Sequence, residues 1–211
     1  MSTEKPLPRR AFSAYPRRLP VVFLHGRGEA PDRHVGAIIQ QLCPPKKLFA
    51  PMMDDQLLSR PFAEQVADAR RCLRTARALI GHHWGAWLLL AAALEVEEAG
   101  EPIPPMLLLA SPLGVGILPG DPPMGYIPPR SAKIMRALTG TGRPPMQARL
   151  VFVHGTQDPQ VYLASAQTVA ASGRPVRVVQ AGFRLEGPEA EDLVRREVEI
   201  LLAEAGIQAG G

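Results

Sequence analysis

The chain has 211 residues, 46% hydrophobic and 21% charged, with a net charge of +4 and a pI near 9.4. That length suffices for one domain with a real core, and that balance is ordinary for a globular protein. It argues against helical membrane spans, since the longest apolar run, Ala86 to Leu94, falls well short of the ~20 residues a bilayer needs. It argues equally against a disulfide framework, since Cys43 and Cys72 are the only cysteines and lie far apart, in or beside expected helices.

Residues 1–19 form a basic, proline-bearing arm with Arg9, Arg10, Arg17 and Arg18. No apolar signal core follows it, so a cytoplasmic location is expected. A basic arm can bind nucleic acid or anionic lipid, but no aromatic interleaving and no nucleic-acid motif accompanies this one. A solvated arm, with no nucleic-acid partner, is the expectation. Residues 20–211 should then form the single domain.

Pro20 to Leu24 is a compact run of β-formers and reads as a buried strand. Asp32 to Leu42 can form a short helix with Asp32 as first-turn or cap residue. Lys47 to Ala50 is a short strand before Pro51. Pro61 to Thr75 predicts an amphipathic helix, with Phe62, Val66, Ala69 and Leu73 on its apolar face. Arg77 to Ile80 is a strand and Trp84 to Glu98 a buried helix, stopped by Gly100. Met106 to Ala110 is a further strand.

Residues 111–148 change character, with Pro112, Pro119, Pro122, Pro123, Pro128, Pro129, Pro144 and Pro145 and several glycines. Turns should dominate there, with one short helix over Ser131 to Leu138. Arg149 to Val153 is a strand, Gln160 to Ala171 a helix, Val176 to Gln180 a strand and Pro188 to Ala205 a closing helix. Pro188 suits a first turn, and Glu189, Glu191 and Asp192 favour its positive end. Alternation of strands and helices implies a mostly parallel sheet covered on both faces, with ligands at the strands' C-terminal edge.

The residues just after each strand therefore carry the functional information. They are His25-Gly26-Arg27-Gly28, then Gly81-His82-His83-Trp84-Gly85, then Ser111-Pro112, then His154-Gly155-Thr156-Gln157-Asp158, then Ala181-Gly182-Phe183-Arg184. Gly81 to Gly85 has the frame of the G-x-S-x-G turn that presents a serine between a strand and a helix. Its central residue is His83.

An H-G loop, a G-x-x-x-G turn and an H-G-x-x-D segment in this order resemble the α/β-hydrolase fold, in the compact form of small carboxylesterases and thioesterases. The resemblance spans roughly residues 20–205 and implies a minimal α/β-hydrolase fold, with residues 111–148 as a short proline-rich cap-like insert. It implies that His25 and Gly26 shape the oxyanion loop and that the backbone N–H groups of Arg27 and Trp84 form the oxyanion hole. Asp158 matches the triad acid and His83 the nucleophile position. Phe183 stands where the triad histidine belongs, and no histidine follows His154.

A serine hydroxyl needs a neighbouring base to attack, and this constellation lacks both hydroxyl and base. The expectation is a degenerate triad and a pseudoenzyme whose cleft binds a small apolar or acyl-type ligand or a protein partner, without a cofactor. The alternative is a rewired hydrolase or lyase in which His83, oriented by Asp158, acts as nucleophile or base. Ser111 is then a candidate displaced nucleophile; its plainer role is a turn serine before Pro112. His82 is expected to hydrogen-bond beneath the turn. His25, His82 and His83 together are the one conceivable metal set, unsupported by any cysteine or carboxylate motif. Trp84 and Trp87 are expected to pack. The insert is either a lid over an apolar pocket or a static excursion.

Overall fold

The structure, a computed structural model, describes residues 20–26, 28–113, 129–142, 144–157 and 163–210. The basic arm, most of the proline-rich insert, Arg27 and Asp158 lie outside the described residues.

In chain order the elements are β1 (Val21–Leu24), α1 (Val35–Leu42), β2 (Leu48–Phe49), α2 (Asp55–Leu58), α3 (Phe62–Thr75), β3 (Ala78–His82), α4 (Trp84–Glu98), β4 (Met106–Leu109), α5 (Ser131–Thr139), β5 (Leu150–Gly155), α6 (Leu163–Ala171), β6 (Val176–Val179) and α7 (Pro188–Glu204). The strands form one sheet in the order β2-β1-β3-β4-β5-β6, and every pairing is parallel.

Alternation along the strands sorts the core into two layers. Val22, Leu24, Leu79, Met106, Leu108 and Phe152 pack beneath α3, α4, α5 and α6. Val21, Phe23, Ala78, Ile80, Leu107 and Leu109 pack beneath α1 and α7. Helix α4 is buried almost all round, from Gly85 to Leu94, which explains why its sequence has no polar stripe until its last turns. Each of its buried leucines contributes ~1.5–3 kcal/mol relative to exposure.

Several boundaries differ from expectation for local reasons. Helix α1 starts at Val35, and its N-cap is His34 rather than Asp32, because His34 has φ 46° and cannot continue a helix backwards. Strand β4 stops at Leu109 because Ala110, with φ 45°, leaves the extended region. Strand β3 runs on to His82, which pairs with Leu109, and β5 to Gly155, which pairs with Val179. Helix α2 is additional. It is capped by Asp54, whose side chain accepts from Leu57 N–H at 2.9 Å.

The chain places β2 on one side of β1 and β3 on the other. The connections leaving β1 and β3 thus diverge, and the edge between their C-terminal ends is where parallel sheets generally take ligands. Residues 25–26 and 82–83 lie at that edge.

Candidate active site

His83 lies between the last residue of β3 and the first of α4, with φ 50° and ψ −113°. A non-glycine residue in that region costs ~1–3 kcal/mol, so the surroundings must impose it. His83 N–H donates to the Leu109 carbonyl at 2.8 Å, and Trp87 N–H donates to the His83 carbonyl at 3.2 Å. The flanking glycines are required by close approach. A Cβ on Gly81 would stand 2.5 Å from Ala86 Cα, and one on Gly85 would overlap the Leu24 carbonyl. The turn is therefore a sharp strand-to-helix elbow whatever side chain sits at its apex.

The His83 side chain is half-buried between the loop after β1 and the loop after β6. A Cβ on Gly26 would come within 2.8 Å of His83 Cβ. On the other side the ring of Phe183 lies 5.6 Å from the His83 ring, tilted by 51°. Phe183, in the loop after β6, thus faces the elbow apex.

His82 is fully buried and its Nε2 donates to the Phe183 carbonyl at 2.6 Å, which fixes the tautomer because a carbonyl only accepts. Burial, opposed by that hydrogen bond and reinforced by His83, His25 and His34, pushes its pKa down to about 4. His25 is also assigned by its partners. Met53 N–H donates to its Nε2 at 2.9 Å, so Nδ1 carries the proton and donates to the Gly26 carbonyl at 2.8 Å. Burial lowers its pKa, partly offset by the Gly26 carbonyl. Both histidines are structural ties, His25 between the end of β1 and the segment before α2, His82 between the elbow and the loop after β6. With those nitrogens engaged, the conceivable metal set does not converge. Among the described residues no group of three His, Cys, Asp or Glu side chains is arranged to hold a metal ion.

Ser111 follows β4, next to the elbow, and is fully buried. Its Oγ has no hydrogen-bond partner among the described residues, although its carbonyl accepts from Leu113 N–H at 2.7 Å. His154, in β5, is fully buried too. Neither of its ring nitrogens has a partner among the described residues, and it stacks on Phe152 at 6.4 Å. Burial pushes its pKa down to about 4.

Trp84 packs, as expected. Its Nε1 donates to Gln65 Oε1 at 3.0 Å and its ring meets Phe62 edge-on at 5.8 Å. Gln65 is buried and donates to the Arg60 carbonyl at 2.8 Å, so the elbow helix is tied to the α2–α3 connection. Trp87 is fully buried and donates to the Pro129 carbonyl at 3.1 Å. Cys43 and Cys72 are buried thiols, and burial raises the Cys43 pKa to about 12.

Four residues of this edge were not singled out in the sequence: Glu29, His34, Arg184 and Glu186. Arg184 Nε donates to Glu29 Oε1 at 3.2 Å, and His34 Nδ1 lies 2.5 Å from Glu186 Oε1. One signal was available. His34-Val35-Gly36 repeats the spacing of His83-Trp84-Gly85, and His34, with φ 46° and ψ −120°, repeats the elbow conformation.

A parallel sheet in this order, with an elbow between its third strand and the following helix, is the α/β-hydrolase fold. Solved structures agree with this assignment. Est1E from Butyrivibrio proteoclasticus is 13% identical with a TM-score of 0.60, over 93% of this chain and 92% of that one. Alpha/beta hydrolase domain-containing protein 10 from mouse is 16% identical with a TM-score of 0.60, over 87% and 89%. The thioesterase domain from the curacin biosynthetic pathway is 14% identical with a TM-score of 0.57, over 89% and 92%. Identities this low speak for the fold alone. No protein-family model and no curated protein matches the chain.

Proposed function

We propose that the chain is a non-hydrolytic α/β-hydrolase-fold protein that binds a small apolar or acyl-type ligand in the inherited crevice. A protein partner at the same crevice is the variant of this proposal. The observation that carries it is the pairing of His83 with Phe183 at the elbow. The positions that resemble nucleophile and base hold an imidazole and a benzyl group packed together. The nucleophile position carries no hydroxyl and the base position carries no imidazole, so the ordinary acyl-enzyme route has no starting point. We take residues 20–211 as the domain, 111–148 as a cap-like insert and 1–19 as a basic arm, in a cytoplasmic protein. Among the described residues no helix is long and apolar enough to cross a membrane.

A second reading is favoured by two specific features. His83 keeps the backbone conformation of an elbow apex, and Ser111, one strand over, keeps a buried hydroxyl with no partner among the described residues. A rewired hydrolase or lyase would use these with Asp158 and the backbone donors of Arg27 and Trp84. Purified protein assayed with short-chain p-nitrophenyl esters and thioesters, and with a fluorophosphonate label, separates the two readings. The non-hydrolytic reading expects neither turnover nor labelling. Turnover abolished by His83→Ala would overturn it.

A further inference from the structure

The loop after β6, Gly182-Phe183-Arg184-Leu185-Glu186-Gly187, makes contacts that the inherited machinery does not account for. Deepening the ligand-binding reading, and resting on it, we propose that Phe183 is an internal occupant of the binding site, latched in place by Arg184 on Glu29, and that the ligand is an apolar carbonyl compound that displaces it.

Phe183 presents two groups to the crevice. Its ring lies on His83, and its backbone carbonyl takes the Nε2–H of fully buried His82. A molecule replacing Phe183 must fill the apolar space left by the ring and must also satisfy that donor, because a buried N–H without an acceptor is costly. An aryl or alkyl group attached to a carbonyl does both. A hydrocarbon fills the space but leaves His82 unpartnered.

Arg184 is the latch. Its guanidinium lies 5.4 Å from the Phe183 ring centroid while its Nε donates to Glu29 Oε1, so one side chain ties the ring to the opposite wall of the crevice. The Glu29 carboxylate is buried whereas Arg184 is half-exposed, so the latch is reachable from solvent and only partly shielded. The far half of the loop is fixed. Leu185 is buried with φ 54°, and Glu186 pairs with His34. The near half is held through backbone alone: the Gly182 carbonyl accepts from Leu185 N–H at 3.0 Å, while a Cβ at Gly182 would meet nothing within 4 Å, so no side-chain packing fixes it there. Gly182 serves as the hinge and Leu185 as the anchor.

The test combines site-resolved carbethoxylation of histidines by diethyl pyrocarbonate with calorimetric binding of phenylacetamide and of toluene. Arg184→Gln and Glu29→Gln are expected to raise the His83 modification rate and the phenylacetamide affinity by about threefold to fivefold, the reach of a half-exposed ion pair. Arg184→Lys, which keeps the charge, should stay nearer the wild type, and Phe183→Ala should raise His83 reactivity most. His154 is fully buried in β5 and reports unfolding. If it reacts in Glu29→Gln, the exposed Arg184→Gln carries the test. Wild-type His83 reactivity in the latch variants, with Phe183→Ala raised, would overturn the latch. Equal reactivity in wild type and Phe183→Ala would overturn the internal occupant, and toluene bound as tightly as phenylacetamide would overturn the carbonyl. Ester turnover, by contrast, would sink the non-hydrolytic reading without touching these accessibilities.

Discussion

His82 donates its Nε2 proton to the Phe183 carbonyl at 2.6 Å, joining the end of β3 to the loop after β6 across 101 positions of sequence. The bond locks the elbow to the loop after β6, and it does so from a ring held neutral by burial.

That neutrality predicts acid sensitivity. Burial depresses the folded-state pKa of both His82 and His154 from 6.5 to about 4. Between those values the unfolded chain binds more protons than the folded one, so stability is full above about pH 6.5 and falls as pH drops towards 4. Each histidine contributes roughly 1.4 kcal/mol per pH unit within that window at most. Urea unfolding midpoints measured from pH 7 to pH 4.5 should fall steeply, and His154→Phe should flatten the slope, leaving the share of His82 and of His25, whose pKa burial also lowers. A pH-independent midpoint over that range would show that the rings are not buried neutral.

Gly85→Ala should damage the fold itself. The added methyl would overlap the Leu24 carbonyl, a backbone atom at the end of β1 where it pairs with β3 and cannot step aside. A cost of about 3 kcal/mol or more is expected, at the upper end for overpacking. Thermal unfolding compared with Gly142→Ala checks this. Position 142 has open space around a Cβ, so only its positive φ of 70° is penalised there.

Ser111→Ala separates the two functional readings by stability. The serine hydroxyl is buried with no partner among the described residues, so its removal should be neutral or stabilise the protein by about 1 kcal/mol. Chemical denaturation measures it. A clear destabilisation would mean that the hydroxyl has found a partner in solution, as a working nucleophile would.

The pair His83→Ser with Phe183→His restores the two residue types that the elbow and the last loop lack. The backbone of the elbow is set by Gly81, Gly85 and the Leu109 carbonyl rather than by the His83 side chain. The double variant should therefore gain p-nitrophenyl acetate hydrolysis, about a hundredfold above His83→Ser alone, the usual worth of a positioned base. A folded double variant with no gain would indicate that the oxyanion donors are not in place.

Much of this protein follows from local pattern. The buried β-runs, the amphipathic α3, the apolar α4 and the proline at the start of α7 are short-range signals, and each element formed within a few residues of its expected position. Helix α2 escaped because four residues carry no periodicity. The start of α1 moved because the conformation of His34 is imposed by its surroundings rather than by its own preference.

The sequence by itself determined the α/β-hydrolase fold and the identity of the residue at the elbow apex, since both rest on glycine spacing and hydrophobic periodicity, which act over a few residues. Only the tertiary structure decided what surrounds that apex. The contact of Phe183 with His83, the bond from His82 to the Phe183 carbonyl and the ion pair between Glu29 and Arg184, 155 positions apart, exist only once the parallel sheet has set β1, β3 and β6 in one layer with their ends at one edge. Sequence separation of that size leaves no local trace, because the chain between such residues constrains neither their distance nor their orientation.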